Sequence, residues 1–292
     1  MSVILECSGL TKSYGKNEAV RHLNMTLEEN TIYGLLGRNG AGKTTLLNMI
    51  TGGIFPTSGL IEVSGSHLER GELPPETCYI RENNLYWRGA RVIEILQFAS
   101  AFHPHWDWPF AKDLLNTFKL NPSKKIRQLS RGMESLVGNI IGLASRARLT
   151  IYDEPMLGLD VLIREKFYRI LVEDYANYPR TIVLSTHLID EIAKVVESVY
   201  IMDAGTILLH DDVDHIREYS HVLTGSSEAV KQFTSDKLVI YNEIYGKGTL
   251  SALYGALGDK DRVQANKLSL TIEGLTLQKF FSYLVEGGRR IE

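Results

Sequence analysis

The chain has 292 residues, 44% of them hydrophobic and 23% charged, which is typical of globular proteins with room for two ordinary domains. A net charge of -3 gives no overall attraction to nucleic acid, so we do not expect a nucleic-acid partner. Cys7 and Cys78 lie far apart without metal-ligand spacing, which indicates reduced thiols in a cytosolic protein. The first residues lack the order of a secretion signal, and glycines and Pro56 break the longest uncharged stretch, so we expect neither a leader nor a membrane span.

The first predicted elements are strands. Apolar residues at 3–7 and alternating apolar residues at 23–27 favour strands, and the stretch from Gly9 to Lys16 predicts a turn between them. This arrangement indicates an antiparallel β layer at the N-terminus. A buried strand over 31–36 and a helix over 43–50 follow.

Residues 37–45 join that strand to that helix and fit the phosphate-binding pattern G-x-x-x-x-G-K-[ST] in full. The glycines let backbone N–H groups approach phosphate oxygens, Lys43 reaches the outer phosphates, and the Thr44 hydroxyl can ligate Mg²⁺. Strand, loop and helix are the setting that this motif requires, so the sequence predicts a triphosphate site. The residues predicted to bind the nucleotide, ATP, are Gly37, Arg38, Asn39, Gly40, Ala41, Gly42, Lys43, Thr44 and Thr45.

Further along, apolar spacing predicts two helices, around 92–99 and 111–118, within a helical insert over about 88–145. The segment between them, Phe102-His-Pro-His-Trp-Asp-Trp-Pro109, contains paired histidines and tryptophans that resemble a ligand site. Because no third metal ligand accompanies the histidines, we interpret it as a packed loop between helices.

The pattern then alternates between helices and strands. It predicts, in order, a helix over 133–144, a strand over 149–152, a helix over 163–171 and a strand over 181–184. This alternation favours a mainly parallel sheet with helices on both faces, and therefore an α/β fold.

After Leu209 the pattern weakens and indicates a small α+β appendage. Its predicted parts are a polar helix and connector over 211–221, apolar runs at 237–241 and Leu268-x-Leu270-x-Ile272, and a helix over 277–284. We therefore predict one domain over residues 1–215 and a small α+β accessory domain over 216–292.

Two carboxylates, Asp153 and Glu154, follow the predicted strand at 149–152. Ligands of open α/β sheets usually bind at the carboxyl ends of strands. Asp153 is placed to hold Mg²⁺ through water, and Glu154 to polarise the water that attacks the γ-phosphate. Alone, the pair is more often a solvated turn, but the phosphate loop upstream favours the catalytic interpretation.

Leu129-Ser-Arg-Gly-Met133 precedes a predicted helix, where Ser130 and Gly132 could offer a hydroxyl and a backbone N–H to phosphate. By spacing alone it is an ordinary N-cap. The order of motifs along the chain favours the phosphate contact over the ordinary N-cap. The motifs are, in order, the phosphate loop, Leu-Ser-x-Gly, apolar-Asp-Glu-Pro, Gly-Leu-Asp160 and Leu-Ser-Thr-His187. Over about residues 1–210 the chain resembles the ATP-binding cassette family.

That resemblance implies further roles. Tyr14 looks like the aromatic residue that stacks on adenine, and Glu82 stands where the family commonly has a glutamine that senses Mg²⁺. His187 would contact the γ-phosphate, although by itself it could be a satisfied core histidine. The family works as a head-to-tail dimer, which implies that Ser130, Gly132 and Asp160 act on ATP held by the other cassette.

The chain departs from the family pattern at several positions. Arg131 replaces the usual first glycine of Leu-Ser-Gly-Gly-Gln, Met133 replaces its glutamine, and Glu82 adds a charge. Gly132, which makes the closer approach to phosphate, is retained. None of these changes removes a group that hydrolysis requires, so we predict an active ATPase.

Within the family the nearest likeness is to ATPase subunits of small Gram-positive exporters of the Ytr type and of phenol-soluble modulin exporters. It rests on Phe102-His-Pro-His-Trp-Asp107, Leu-Ser-Arg-Gly-Met133 and Tyr-Asp-Glu-Pro-Met-Leu-Gly-Leu-Asp160. The likeness implies export of peptides or antibiotic-like amphiphiles through a separate transmembrane permease. The protein would then be cytoplasmic and peripherally attached to the inner face of the cell membrane, as a homodimer or heterodimer of cassettes.

Two other functions stay open from the sequence. One is a soluble cassette ATPase in translation or DNA repair, although such proteins usually carry two cassettes or a long coiled-coil insert. The other is a cassette that binds nucleotide only as a regulator. For residues 216–292 a dimer contact or regulation and a merely stabilising role are equally open.

Overall fold

A computed structural model of the chain describes residues 2–69, 72–81 and 87–291. The strands are β1 Val3–Tyr14, β2 Asn17–Glu28, β3 Ile32–Gly37, β4 Ser58–Val63, β5 Ser66–His67, β6 Thr77–Ile80, β7 Leu149–Asp153, β8 Thr181–Thr186, β9 Ser198–Asp203, β10 Thr206–Asp212, β11 Ser220–Ser226, β12 Val239–Tyr245, β13 Gly248–Tyr254 and β14 Thr271–Gly274. The helices are α1 Lys43–Ile50, α2 Val92–Ser100, α3 Trp108–Thr117, α4 Arg131–Ala144, α5 Val161–Asn177, α6 Ile189–Ile192, α7 Val213–Tyr219, α8 Ser227–Phe233, α9 Asp259–Lys267 and α10 Leu277–Gly287. Within this described part, none of the helices combines the length and apolar character needed to cross a bilayer.

The N-terminal β layer is antiparallel, with strand order β2-β1-β4-β5, as predicted. The predicted turn from Gly9 to Lys16 is wrong for most of its length, because β1 continues to Tyr14. Its pairing with β2 shifts register several times, and Gly9 adopts a φ of 59°. A strand with such bulges needs the glycine and polar residues that otherwise indicate a turn.

The central sheet has the order β10-β9-β3-β8-β7-β6. Strands β9, β3, β8, β7 and β6 are parallel, and β10 joins the edge antiparallel to β9. Every residue of β3, β7 and β8 is buried, as expected for strands covered on both faces. The carboxyl ends of these three strands meet at one edge of the sheet, where the residues of the phosphate loop and of the carboxylate pair follow. The predicted mainly parallel α/β fold is confirmed.

The region from 88 to 145 contains α2, α3 and α4. In the loop before α3, the rings of Trp106 and Trp108 lie 5.5 Å apart and pack against the main apolar cluster. Asp107 caps α3 by accepting a hydrogen bond of 2.9 Å from the Phe110 N–H, and it also pairs with Arg146 at 2.9 Å. These contacts give the segment a packing role between helices.

The C-terminal residues form an antiparallel sheet with the order β12-β13-β11-β14. The predicted polar helix within 211–221 is α7, and the residues that flank it belong to β10 and β11. In the apolar run Leu268-x-Leu270-x-Ile272 only Ile272 lies in a strand, because Leu268 and Leu270 precede β14. Both leucines pack with α8, α9 and β11 in an apolar cluster, so burial without a strand explains their alternation. The predicted boundary at residue 216 falls inside α7 and stays a prediction.

Helix α10 connects this sheet to the rest of the protein. Phe280 and Leu284 are fully buried in the same apolar cluster as Leu208 and Ile216. Beyond the helix, the Ile291 N–H donates a hydrogen bond of 2.8 Å to the Leu208 carbonyl of β10. The apolar interior therefore runs without a break from the central sheet into the C-terminal residues.

Candidate functional site

The phosphate loop connects β3 to α1, and its backbone requires glycine. Gly40 and Gly42 have φ values of 84° and 105°, in the left-handed region that other residues rarely adopt. A Cβ atom on Gly42 would lie 2.4 Å from the Ala19 carbonyl oxygen, and one on Gly37 would lie 2.6 Å from the Met202 carbonyl oxygen. Turns of this kind bring successive backbone N–H groups together as an anion-binding nest.

Lys43, at the first turn of α1, is only 7% exposed and already points along the loop. Its Nζ donates hydrogen bonds to the Gly37 carbonyl at 2.7 Å and to the Arg38 carbonyl at 3.4 Å. The loop opens into a cavity of about 550 Å³. The lining residues are Asn17, Glu18, Ala19, Arg21, Arg38, Asn39, Gly40, Ala41, Gly42, Lys43, Thr44, Thr45, Asp153, Glu154, Ala204 and Gly205.

Asp153 ends β7 and faces the phosphate loop. Its Oδ2 accepts a hydrogen bond of 2.8 Å from the Thr44 hydroxyl, and its Oδ1 accepts one of 2.8 Å from the Ser185 hydroxyl. The Tyr79 hydroxyl donates a longer bond of 3.5 Å to Oδ2, and burial together with the Asp153 charge raises the pKa of Tyr79 well above its usual value. Sequence analysis assigned no role to Tyr79 on β6, which no motif includes, or to Ser185 on β8, although Ser185 lies in the Leu-Ser-Thr-His187 motif.

Glu154, one residue on, has a φ of 51°, so its side chain turns away from the strand direction. Its carboxylate accepts a hydrogen bond of 3.1 Å from the Thr186 hydroxyl, and the His187 Nδ1 lies 3.0 Å from it. The Glu154 N–H is held by the Ser185 carbonyl at 2.8 Å. The structure thus brings two predicted residues, Glu154 and His187, into direct contact. Thr186, the third member, was not predicted to take part.

We call Lys43, Thr44, Asp153, Glu154 and His187 the phosphate corner. Thr44 and Asp153 supply hard oxygen ligands, which suit Mg²⁺ because that ion keeps several waters and needs only one or two protein oxygens. The described ranges contain no group of three or more His, Cys, Asp or Glu residues that could enclose a metal. The buried lysine and the glycine nest suit a phosphate chain. The residues present therefore fit ATP with Mg²⁺.

The second set of predicted residues, Ser130, Arg131, Gly132 and Asp160, we call the signature corner. The Ser130 hydroxyl caps α4 by accepting a bond of 3.3 Å from Met133 N–H, and the Asp160 carboxylate caps α5 by accepting one of 3.0 Å from Ile163 N–H. Ser130, Arg131 and Asp160 are exposed. None of the four is among the residues that line the phosphate-loop cavity, as far as the chain is described.

Two other predicted residues stand apart. Tyr14 ends β1 and is 53% exposed, with the Lys12 Nζ 5.2 Å from its ring centroid. It does not contribute to the cavity lining, so its predicted contact with adenine stays a prediction. Glu82 lies outside the described residues.

A strand, phosphate loop and helix, with a carboxylate pair at the end of β7, which is separated from β3 by β8, define the class of P-loop nucleotide-binding ATPases. A family profile described as ABC transporter matches residues 20–157. The chain is 31% identical over 217 residues to the ABC transporter ATP-binding protein MJ1023 of Methanocaldococcus jannaschii, covering 73% of this chain and 79% of that protein. It is 27% identical to the bacitracin transport ATP-binding protein BcrA of Bacillus licheniformis, covering 99% of both chains.

Solved structures agree with these likenesses. The structure of an ATP-binding subunit of an ABC transporter superposes with a TM-score of 0.66 at 26% identity, covering 73% of this chain and 92% of that one. The dimeric cassette MJ0796 superposes with a TM-score of 0.65 at 21% identity, over 72% of this chain and 99% of that one. The chain therefore belongs to the ABC transporter ATP-binding protein family and is an ATPase, which confirms the predicted resemblance.

Proposed function

We propose that this chain is the ATP-hydrolysing subunit of an exporter for peptides or antibiotic-like amphiphiles. Two copies, or one copy and a related cassette, close around two ATP molecules in a head-to-tail arrangement, and hydrolysis reopens them. The cycle drives a separate transmembrane permease, which holds the protein at the cytoplasmic face of the membrane.

One observation carries the proposal: the phosphate corner is organised within one chain, whereas the signature corner of the same chain is absent from its cavity. Thr44 is hydrogen-bonded to Asp153, and Lys43 to the Gly37 carbonyl of the loop. Ser130 and Gly132 stand at the N-terminus of α4, where the helix dipole favours an anion, yet they do not line the phosphate-loop cavity of their own chain. A second cassette that brings its own ATP to Ser130 supplies the phosphate for this corner.

Within each site the residues divide the work. Lys43 and the loop N–H groups neutralise the outer phosphates, and Thr44 and Asp153 hold Mg²⁺, which when bound offsets the charge that develops on the phosphates. Glu154 accepts the proton of the water that attacks the γ-phosphate. His187, 3.0 Å from that carboxylate, orients it and reaches the γ-phosphate when the site closes.

A groove on the helical insert supports a helical partner. It encloses about 860 Å³, and its lining residues are Trp87, Gly89, Ala90, Arg91, Glu94, Ile95, Phe98, Ala99, Lys125 and Ile141. Trp87 and Phe98 are 77% and 69% exposed. Such an apolar groove with charges at its rim suits an amphipathic helix, which here is a cytoplasmic helix of the permease. The resemblance to the cassette family implies that residues 82–87 lie at the contact with this partner helix, and of that segment the structure describes Trp87.

The class of cargo comes from the relatives. The chain is similar over its whole length to BcrA, which is named for bacitracin transport. It is also 29% identical over 218 residues to the lantibiotic transport ATP-binding protein SrtF of Streptococcus pyogenes. Bacitracin and lantibiotics are amphiphilic peptides, so we propose cargo of that chemistry for the present chain.

The decisive experiment changes the proposed base. Glu154→Gln keeps the size and the hydrogen bonds of the side chain but cannot take a proton, so phosphate release should fall about 100-fold or more, the range expected for a general base. The chain should then accumulate as an ATP-bound dimer in size-exclusion chromatography. Glu165→Gln, an exposed change on α5, is the control and should leave both readouts unchanged.

Unimpaired turnover in Glu154→Gln would contradict the assignment of the base, and a monomer in the presence of ATP would contradict the dimer. The cargo is tested by expressing the chain together with a multispan membrane protein encoded beside its gene and measuring the minimal inhibitory concentration of bacitracin. Protection that disappears with Glu154→Gln supports peptide export. Co-purification with ribosomes rather than with a membrane protein would favour the alternative role in translation.

A further inference from the structure

Three contacts join helix α4 to the chain segment that follows Glu154. The Asn139 Nδ2 donates a hydrogen bond of 3.0 Å to the Pro155 carbonyl, and the Ser135 hydroxyl donates one of 2.9 Å to the Leu157 carbonyl. Nearer the start of the helix, Gly132 packs on Gly158 so closely that a Cβ on Gly132 would lie 2.3 Å from the Gly158 carbonyl oxygen. One face of α4 therefore follows the backbone from 155 to 158.

The Asn139 side chain lowers the stability of the folded chain at its position, because part of it is a buried polar group without a partner in the described part of the chain. The residue is 1% exposed, and among the described residues its Oδ1 has no hydrogen-bond partner. A buried acceptor without a partner costs about 1–3 kcal/mol. An apolar side chain of similar size would remove that cost but would leave the Pro155 carbonyl without its donor, so the amide serves the backbone of the 155–158 segment rather than the packing of α4.

The segment that these residues hold carries the catalytic carboxylate at its start. Glu154 and Gly158 both have positive φ, of 51° and 77°, so this stretch has no regular secondary structure to fix it. On one side the Glu154 N–H is bound to Ser185 of β8. On the other side, α4 contributes the hydrogen bonds from Ser135 and Asn139. The backbone around Glu154 is therefore tied to β8 on one side and to α4 on the other.

From these contacts we infer that Ser135 and Asn139 are positioning residues, which couple the signature corner on α4 to the Glu154 carboxylate of the same chain. The inference rests on the proposed head-to-tail dimer, in which Ser130 of one chain touches ATP in one site while Glu154 of that chain serves the other. Closure of Ser130 on phosphate in one site shifts α4, and the two bonds transmit the shift to the carboxylate in the second site.

The Ser135 bond is suited to such a role because its hydroxyl has two acceptors. Its single hydrogen can go to Leu157 O at 2.9 Å or to Arg131 O, one helical turn back, at 3.1 Å. When α4 moves relative to the segment, the hydroxyl exchanges one acceptor for the other and no buried donor is left unpaired. Coupling of this kind requires an element with two arrangements of similar free energy.

The test uses the full-length chain with Ser135→Ala, Asn139→Leu and the double variant. We expect kcat of the double variant to fall about 10-fold, since small misplacements of a catalytic group produce losses of up to about 100-fold. KM for ATP should stay within about twofold, because binding to the phosphate loop is untouched. In the double variant the cooperative dependence of hydrolysis on ATP concentration should disappear. The single variant Ser135→Thr keeps a hydroxyl and should therefore keep this cooperativity.

Two controls separate positioning from folding. Ser282→Ala on α10 removes a hydroxyl whose bond to the Gln278 carbonyl, at 3.0 Å and one helical turn back, matches that of Ser135 to Arg131, and it should leave kcat unchanged. Asn139→Leu removes one buried unpaired acceptor, its own Oδ1, but leaves another, the Pro155 carbonyl, without its donor, so its melting temperature should change little. A loss of turnover without a loss of stability is the signature of positioning.

The outcomes are distinguishable from those of the proposed function. If Glu154→Gln does not trap an ATP-bound dimer, both the proposed function and this inference are wrong. If it does trap the dimer, but the double variant keeps the kcat and cooperativity of the unmodified chain, only the inference is overturned. A kcat loss that merely follows a lower melting temperature also overturns it.

Discussion

The phosphate corner and the signature corner are built in opposite ways. In the phosphate corner Lys43 and Asp153 are 7% and 1% exposed, and each is held by bonds to residues distant in the sequence or across the loop. In the signature corner Ser130 and Asp160 are exposed, and within the described ranges they bond to the first turn of their own helices. One corner is preorganised by the chain that contains it, and the other is left open.

This difference indicates which steps of ATP hydrolysis each corner can control. Preorganised dipoles are what lower the barrier to phosphoryl transfer, and the phosphate corner has them before a partner arrives. In the proposed dimer the signature corner meets phosphate only when two cassettes assemble, so turnover would depend on assembly. Changes at Lys43 in the phosphate corner should therefore reduce ATP binding, whereas changes in the signature corner should reduce turnover and leave ATP binding by the isolated chain intact.

The largest effect is expected for Lys43→Ala. The change removes the buried cation of the loop and its bonds to Gly37 and Arg38, so kcat/KM should fall about 1000-fold, the upper range for a charged donor in an active site. ATP affinity, measured by calorimetry, should fall with it. The control is Lys166→Ala, because that lysine also donates to a backbone carbonyl at 2.7 Å, on Thr117, yet lies outside the cavity. Near-normal ATP binding by Lys43→Ala would contradict the claim that the preorganised phosphate corner binds the nucleotide through Lys43.

The next largest effect is expected for Gly132→Ala. Its added Cβ would lie 2.3 Å from the Gly158 carbonyl oxygen, so α4 and the segment after Glu154 must move apart. We expect a loss of about 1–3 kcal/mol in the free energy of unfolding and a fall of roughly 100-fold in kcat. Gly274→Ala, where a Cβ meets nothing within 4 Å, is the control for chemical denaturation and kinetics. Retention of full stability by Gly132→Ala would show that the two segments are not in close contact.

Ser130→Ala separates the role of Ser130 in the signature corner from its role as a helix cap, because Ser226 is a matched helix cap elsewhere in the chain. Ser130 and Ser226 each accept a bond of 3.3 Å from a backbone N–H at the start of a helix. Either change to alanine should cost about 1 kcal/mol of stability through loss of the cap. Only Ser130→Ala should also lower kcat, by about 10-fold, with ATP affinity of the isolated chain unchanged. Equal kinetics of the two variants would remove Ser130 from the site.

The smallest effect is expected for Tyr14→Ala. If Tyr14 stacks on adenine, its loss should raise KM for ATP about 5-fold, since a base on an aromatic side chain gains roughly 1 kcal/mol or more. Tyr14→Phe should preserve the stacking and the KM. Tyr245→Ala, at a site 51% exposed against 53% for Tyr14, controls for loss of an exposed ring. Identical KM values in Tyr14→Ala and Tyr245→Ala would reject the adenine contact.

Sequence patterns predicted best what depends on neighbours in the chain. The helix from Lys43 to Ile50 has the predicted bounds, because the phosphate-loop motif fixes its start and Gly52 and Gly53 follow its end. The contacts of Asp153 with Ser185 and Tyr79 could not be predicted, because they arise from the order of strands in the sheet. Spacing along one strand contains no information about which strand lies beside it.

The wrong turn prediction has a similar cause. The glycine and polar residues of 9–14 are compatible with a turn and with a bulged strand, and only pairing with β2 and β4 decides between them. The alternation at Leu268 and Leu270 is likewise compatible with a strand, but burial against α8 and α9 satisfies the same pattern. Local sequence restricts the choices, and tertiary packing selects among them.

Helix α10, buried against Leu208 and Ile216, has a practical consequence for anyone who exchanges parts between related transporters. A graft that starts at residue 216 would replace Ile216, Phe280 and Leu284 while keeping Leu208, and so would combine parts of one apolar interior from two different proteins. Such a hybrid should melt early and broadly. Carrying the contact residues of β10 and α7 along with the graft should restore a single sharp endotherm.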